Sequence, residues 1–176
     1  MAVRTVLRLG DPRLRVRSLE VDEALFGTPA LQVLITDLRD TMAARDGAGL
    51  AAPQIGVPLR VVLYGITANP RYPEAPPIPE TVLINPVLMP LGAESQLGWE
   101  GCLSVPGLRG QVQRAQRLQV AWRDVAGGHR TQQVEGFHAR VVQHECDHLD
   151  GLLFVDRLQD SRAFGFTDEL QAAGLL

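Results

Sequence analysis

Apolar residues recur at steps of three and four positions in two segments of the chain, which is the spacing of one face of an α-helix. In the first segment, Leu31, Leu34, Leu38 and Met42 follow a Thr-Pro dipeptide. Threonine is a favoured N-cap residue, and proline is favoured in the first helical turn. The pattern therefore predicts a helix over residues 29–45.

The second periodic segment predicts a helix over residues 137–149 that is apolar over more than half of its circumference. Such a helix belongs in the centre of a fold. Gly151 stands where a C-terminal cap is expected. The polar side of this helix is a narrow arc that holds Arg140, Gln143, Asp147 and Asp150. We interpret Asp147 as a solvated charge, and the alternative is a residue that supports the ligands of a metal.

Runs of aliphatic and β-branched residues predict strands between these helices. The run "LRVVLYG" predicts a buried strand, and "TVLINPVLM" a second one, at a sheet edge or bulged because of Pro86. The segments "RLQVAWRDV" and "HRTQQVEG" flank an Ala-Gly-Gly turn and predict a β-hairpin.

Glycine and proline predict a loop for "DGAGLAAPQIGVP" and a surface connection for the proline-rich residues 67–80. The tail from Ser161 is short and weakly helical. Strands followed by one late helix predict an α+β fold, with antiparallel strands around a central helix, an N-terminal helix and a short C-terminal helix. At 176 residues the chain is expected to form a single domain, residues 1–176.

Composition excludes several classes of function. Hydrophobic residues make up 45% of the chain and charged residues 21%, which is ordinary for a globular protein. A net charge of −3 does not favour sequence-specific binding of nucleic acid. The chain contains no lysine, which excludes Schiff-base chemistry and a P-loop lysine. No apolar run is long enough to span a membrane and the N-terminus has no export signal, so we expect a cytoplasmic protein with reduced cysteines.

The late helix contains an H-E-x-x-H motif within "VVQHECDHLDG". Imidazoles four residues apart present their ring nitrogens to one ion, and Glu145 could move a proton at the edge of the same site. Both His144 and His148 fall in the apolar arc, where a buried unpaired imidazole costs free energy. The alternative is a pair of core histidines bonded to backbone carbonyls. Phe137 and Val141 share the histidine face and could form an apolar wall beside the ion.

A catalytic site of this kind needs a third protein ligand and one open position. Cys102, in "WEGCLSVPG", supplies a thiolate, which is a stronger ligand for a borderline cation than a lone carboxylate. Glu169 is the alternative, and with it the chain would be a zinc endopeptidase. The metzincin pattern is excluded, because Phe154 stands where its histidine would be. Cys146 faces away from the histidines and is interpreted as a core residue.

The segment "GAGLAAPQIG" partly matches a dinucleotide-binding fingerprint, which would make the chain a non-catalytic nucleotide-binding module. That fingerprint requires a strand before it and a helix after it, whereas here a helix precedes it and prolines follow. We therefore favour a glycine loop that approaches an extended ligand, with Gln54 as an amide donor.

Taken together and in this order, "GAGLAAPQIG", "EGCLS" and "QHECDHLDG" resemble the three motifs of the peptide deformylase family. The resemblance implies a metal-dependent hydrolase that removes the formyl group from the N-terminal formyl-methionine of new polypeptides and releases formate. It implies Cys102, His144 and His148 as ligands of one divalent ion, natively Fe²⁺, which Zn²⁺, Ni²⁺ or Co²⁺ can replace. Glu145 would be the catalytic acid and base.

The same resemblance implies that the Gln54 side chain and the Leu103 backbone N–H stabilise negative charge on the formyl oxygen. Gly49 and Gly101 would let the peptide backbone pair along two loops, and Arg109 would contact the far end of the peptide. The implied partners are N-formylmethionyl nascent peptides and, transiently, the ribosome. The long C-terminal helix that some members use for docking is not carried over, since the chain ends soon after "FGFTDELQAAGLL".

Overall fold

A computed structural model describes residues 2–67 and 75–176. Within them the chain forms an α+β fold of antiparallel strands, as predicted, and the strands are arranged in two sheets. The helices are α1 (Pro29–Ala43), α2 (Gly136–Leu149) and α3 (Thr167–Ala172). The strands are β1 (Gly49–Ala51), β2 (Val61–Ile66), β3 (Ile78–Pro90), β4 (Ser95–Cys102), β5 (Val105–Ala115), β6 (Arg117–Arg123), β7 (His129–Glu135) and β8 (Phe164–Phe166). The five-stranded sheet has the order β1-β2-β3-β6-β7, and the three-stranded sheet has the order β4-β5-β8.

Of the two alternatives predicted for the strand around Pro86, an edge position or a bulge, the structure has the bulge. The pairing register between β3 and β6 shifts between Ile84 and Val87, around the proline that cannot donate to the ladder. β3 nevertheless lies between β2 and β6, with partners on both sides. Asn85 in the bulge has a positive φ of 51°, and its side-chain oxygen accepts a hydrogen bond from the Val21 N–H at 2.8 Å.

The predicted hairpin is confirmed as β6 and β7, and the early buried strand as β2. Two loop predictions need correction. The segment over residues 46–58 contains the short strand β1 and a 3₁₀ turn, because its backbone pairs with β2. The proline-rich connection ends earlier than predicted, since residues 78–80 already pair in β3. Residues 68–74 of that connection lie outside the described residues.

The strands β4 and β5 had no counterpart in the sequence-based prediction. They pair along their length, but their apolar alternation is interrupted by polar residues that the fold buries. Glu100 and Arg114 are both almost fully buried, and the Arg114 guanidinium donates two hydrogen bonds to the Glu100 carboxylate. An ion pair inside a sheet gives no hydrophobic signal, so the three-stranded sheet was missed.

Helix α2 is central, as its apolar circumference predicted, and it packs against strands of both sheets. Even the narrow polar arc is partly covered. Arg140 and Asp147 are only 7% and 8% exposed. The prediction that Asp147 is a solvated charge is therefore wrong: its carboxylate receives hydrogen bonds from Arg114 and Arg157, which lie over this side of the helix. Gly151 follows the helix with a φ of 73°, as expected for a glycine cap.

The N-terminal segment before α1 crosses the molecule and contacts three distant parts of the chain. The Leu7 N–H donates to the Gln54 carbonyl and the Leu9 N–H to the Ser104 carbonyl, each at 2.8 Å. Further on, the Ser18 N–H donates to the carbonyl of Leu149, the last residue of α2, at 2.8 Å. This segment, residues 2–28, which we call the N-terminal strap, therefore joins the regions that carry the three sequence motifs.

No helix among residues 2–67 and 75–176 is long and apolar enough to cross a membrane.

Candidate metal centre

A buried group of one thiol and two imidazoles lies where β4 meets α2. Cys102 ends β4, and His144 and His148 stand on successive turns of α2. One ligand atom from each residue lies within 4.8 Å of the others. The Cys102 sulfur is 3.4 Å from Nε2 of His148, and the two imidazole rings are 5.1 Å apart at a steep angle.

The chemistry of these donors fits a divalent cation. Two ligands of a tetrahedral ion, at about 2.1 Å for nitrogen and 2.3 Å for sulfur, would lie roughly 3.5 Å apart. The separation of Cys102 and His148 is close to that value. His144 uses its Nδ1 toward a Glu100 carboxylate oxygen 2.8 Å away, which leaves Nε2 for an ion and orients the ring.

The charges of the group are coupled. Burial alone would raise the pKa of the Cys102 thiol, but the adjacent His148 and His144 hold that pKa well below its usual value. Burial opposes protonation of His144, yet Cys102 and Glu100 together raise the pKa of its imidazole well above the ordinary value. The thiol is therefore already disposed to be a thiolate, the form that binds a cation, and an ion would displace the imidazole proton.

Glu145 lies beside the donor group, on the turn of α2 between the histidines. It is 6% exposed, and its Oε2 has no hydrogen-bond partner among the described residues. Burial raises the pKa of this carboxyl, which suits a group that must both accept and return a proton near neutral pH. Gly49 makes the room for it, because a Cβ on that glycine would lie 2.5 Å from Oε1 of Glu145.

Gln54 is buried in the 3₁₀ turn after β1, with both ends of its amide engaged. Its side-chain oxygen accepts the N–H of Ala51 at 2.8 Å. This bond directs the amide nitrogen toward Ser104 Oγ at 3.0 Å and the Cys102 sulfur at 3.5 Å. A rigid amide donor therefore faces the donor group, as an oxyanion-stabilising role requires.

Most of the candidate residues identified in the sequence line one cavity beside these groups. Val141 and Phe137 line it about one and two turns before His144, and Leu103 lines it next to the cysteine. The remaining predicted residues on its wall are Gly49, Gln54, Gly101, Cys102, His144 and Glu145.

Two candidate residues lie elsewhere. Arg109 lines a second, neighbouring groove. Glu169 is exposed on α3 and outside the thiol–imidazole group, so the ligand set of a zinc endopeptidase is not assembled. The segment proposed for a nucleotide-binding module is preceded by helix α1 and runs into β1 and a 3₁₀ turn, which is the reverse of the order that the fingerprint needs.

Sequence reasoning missed a buried network of charges behind His144. Arg114 and Arg140 both donate to Glu100, and Arg114 also donates to Asp147. Burial alone would raise the pKa of Glu100, but Arg114 and His144 hold that pKa below its ordinary value, so Glu100 stays an anion against the His144 ring. The only available signal was position, since Glu100 and Asp147 lie inside two of the three motifs.

Comparison with known proteins agrees with this geometry. The family model described as polypeptide deformylase matches residues 3–164. The chain belongs to the polypeptide deformylase family. Among curated deformylases it is 59% identical to peptide deformylase 1 of Prochlorococcus marinus, covering 100% of this chain and 91% of that protein. It is 55% identical to peptide deformylase 1 of Nitrosomonas europaea, covering 96% and 94%.

Solved deformylases share the fold. A class I type b peptide deformylase from Acinetobacter baumannii, crystallised with Met-Ala-Ser, superposes with a TM-score of 0.86 at 39% identity, over 89% of this chain and 99% of that one. The Thermotoga maritima enzyme gives 0.80 at 31% identity, over 91% and 100%. This deformylase is accordingly a metal-dependent hydrolase that removes the N-formyl group from nascent peptides.

Proposed function

We propose that Cys102, His144 and His148 hold the divalent ion of this deformylase and that Fe²⁺ is the native ion. The observation that carries the assignment is the thiol and two imidazoles within 4.8 Å of one another, beside a buried carboxylate with a free oxygen. Thiolate and imidazole donors suit iron as well as zinc, nickel or cobalt, and the family resemblance favours iron. When bound, the ion supplies Lewis-acid activation of water and of the formyl carbonyl.

The residues of the chain then divide the remaining chemistry. Glu145 accepts the proton of the attacking water through its unpaired Oε2 and delivers it to the departing amine nitrogen. The Gln54 amide and the Leu103 N–H donate hydrogen bonds to the formyl oxygen as it gains negative charge, each worth about 3 kcal/mol of barrier. The C–N bond of the formamide breaks, and formate leaves.

The proposed substrate is an N-formylmethionyl peptide that lies between the two sheets. Phe137 and Val141 supply an apolar wall for the unbranched methionine side chain. Gly49 in β1 and Gly101 in β4 belong to strands at the ends of their sheets, where an extended peptide can pair with the backbone. The relative crystallised with Met-Ala-Ser supports a peptide ligand of this kind.

Further roles are proposed on the same basis. Arg109 would contact the peptide beyond its first residues, because its groove adjoins Cys102 and Leu103. Nascent peptides are made at ribosomes in the cytoplasm, so we place the enzyme there and expect transient contact with the ribosome.

The test is anaerobic purification followed by metal analysis and a formate-release assay on a formyl-methionyl tripeptide. Replacing Cys102 by alanine removes one of three ligands, so we expect loss of bound iron and of activity. Glu169→Ala, outside the group, is the matched control and should retain both. Metal and activity retained in Cys102→Ala, but lost in Glu169→Ala, would refute the proposed ligand set.

A further inference from the structure

A second groove, of about 550 Å³, opens next to the catalytic cavity and carries three arginines on its walls. Arg8 comes from the N-terminal strap, Arg45 from the end of α1 and Arg109 from β5. Cys102 and Leu103 line both spaces, so the groove adjoins the site at which the formyl group would lie.

Two of the three arginines, Arg8 and Arg45, have no carboxylate partner among the described residues. Most arginines among the described residues form ion pairs with carboxylates, but Arg8 and Arg45 form none with any residue of 2–67 or 75–176. No aspartate or glutamate among the described residues lines the groove. In a chain with a net charge of −3, this is a local excess of positive charge. Its natural complement is an anionic ligand.

The backbones that carry these arginines are held in place. The residues on both sides of Arg8 donate hydrogen bonds at 2.8 Å, Leu7 to Gln54 and Leu9 to Ser104. The Arg45 N–H donates to the Met42 carbonyl at 3.2 Å, at the end of α1. The backbone is therefore already ordered at both positions, which limits the entropic cost of binding an anion to the arginine side chains.

We propose that this groove gives the enzyme a preference for substrates with acidic residues shortly after the formyl-methionine. The inference rests on the proposed function, in which the peptide N-terminus occupies the neighbouring cavity. An extended peptide advances about 3.3 Å per residue, so its first few residues after methionine enter the groove. Arg8 and Arg45 then bind their carboxylates. A peptide is favoured over RNA because the groove lies directly beside the catalytic cavity, with Cys102 and Leu103 in the walls of both.

The experiment compares kcat/KM for matched formyl-methionyl pentapeptides in the iron-loaded enzyme. One series moves a single glutamate through the positions after methionine, and the other carries glutamine at the same position. At low ionic strength we expect kcat/KM to be about tenfold higher for glutamate at the best position, since each exposed ion pair contributes a few-fold. The ratio should fall toward 1 at high salt, because exposed charges are screened.

The variant Arg8→Gln/Arg45→Gln should bring the glutamate-to-glutamine ratio close to 1. Arg130→Gln removes the same charge from an exposed position on β7 and should leave the ratio unchanged. Equal turnover of both peptides by the wild type overturns the groove inference but leaves the deformylase function intact. Failure to release formate from either peptide refutes the proposed function instead. If the double variant loses binding to purified ribosomal RNA while its peptide preference persists, the groove is an RNA surface and the proposal is wrong.

Discussion

At the scale of single residues, the chemistry depends on how closely Glu145 is confined. Its carboxylate is buried and lies against Gly49. A side chain at position 49 would need the space that Oε1, Cδ and Cγ of Glu145 occupy, at 2.5 to 2.6 Å. The glycine is thus required by the Glu145 carboxylate itself, and not only by the peptide proposed to lie along β1.

Gly49→Ala is therefore expected to displace Glu145 and to lower kcat by roughly 10²-fold, as misplacement of a reacting group by about 1 Å does. Steady-state formate release, with iron content measured in parallel, tests this expectation. Gly165→Ala is the matched control, because the new Cβ would meet Leu170 at an ordinary 3.5 Å. An unchanged kcat in Gly49→Ala would mean that Glu145 has other room or another role.

Residue-scale prediction from sequence worked where chemistry imposes spacing. Two imidazoles four apart on a helix, and a cysteine between glycine and leucine, are visible in the motifs, and the fold brings them together. The residues that contact these side chains were not visible in the motifs. Glu100 meets His144 through contacts between β4 and α2, and no local pattern encodes that approach.

At the scale of elements, one arginine joins the central helix to the three-stranded sheet. The Arg140 guanidinium on α2 donates to the carbonyls of Gln96 at 2.6 Å and Val112 at 2.8 Å, and to Glu100 at 2.9 Å. Gly98 leaves space for it, since a Cβ there would lie 2.9 Å from the guanidinium. Arg140 therefore fixes β4, which ends in Cys102, against the helix that carries the histidines.

Replacing Arg140 by methionine keeps much of the volume but leaves these acceptors without a donor. We expect the free energy of unfolding in urea to fall by about 3 kcal/mol, the usual effect of breaking a buried ion pair. The control is Arg117→Met, because the half-exposed Arg117 guanidinium lies 3.7 Å from Glu94. This substitution should change the free energy of unfolding by less than about 1 kcal/mol. Equal losses of unfolding free energy in the two variants would show that Arg140 does not stabilise the contact between β4 and α2.

Elements were predictable in proportion to the regularity of their apolar pattern. Helices α1 and α2 and the β6–β7 hairpin follow their periodicity and turn residues closely. Strand β1 was hidden in a glycine-rich segment, because only pairing with β2 makes it a strand. The strands β4 and β5 were hidden by the buried ion pair of Glu100 and Arg114.

At the scale of the whole molecule, α2 lies between two sheets that share it as a core element. We propose that residues 1–176 form one cooperative domain. The two tryptophans are placed to test this, because Trp99 lies in β4 of one sheet and Trp122 in β6 of the other.

Single-tryptophan variants, Trp99→Phe and Trp122→Phe, should unfold in urea in a single transition, with fluorescence and circular dichroism coinciding in each. Chelation of the metal should lower the stability reported by either tryptophan equally, by about 2.7 kcal/mol if the free ion had been at 100 times its Kd. A fluorescence transition that departs from the circular dichroism in either variant, or a chelation effect felt by Trp99 alone, would indicate that the sheets unfold separately.

The strap before α1 has a consequence for anyone who alters this enzyme. Its backbone N–H groups donate hydrogen bonds to the carbonyls of Gln54, Ser104 and Leu149, which lie about fifty residues apart along the sequence. A fused tag or an inserted residue that displaced the strap would remove its hydrogen bonds to the segments of Gln54, of Cys102 and Ser104, and of the C-terminal end of α2 at the same time. The strap thus holds these three segments in position together, and a change in it would shift the groups of the site relative to one another.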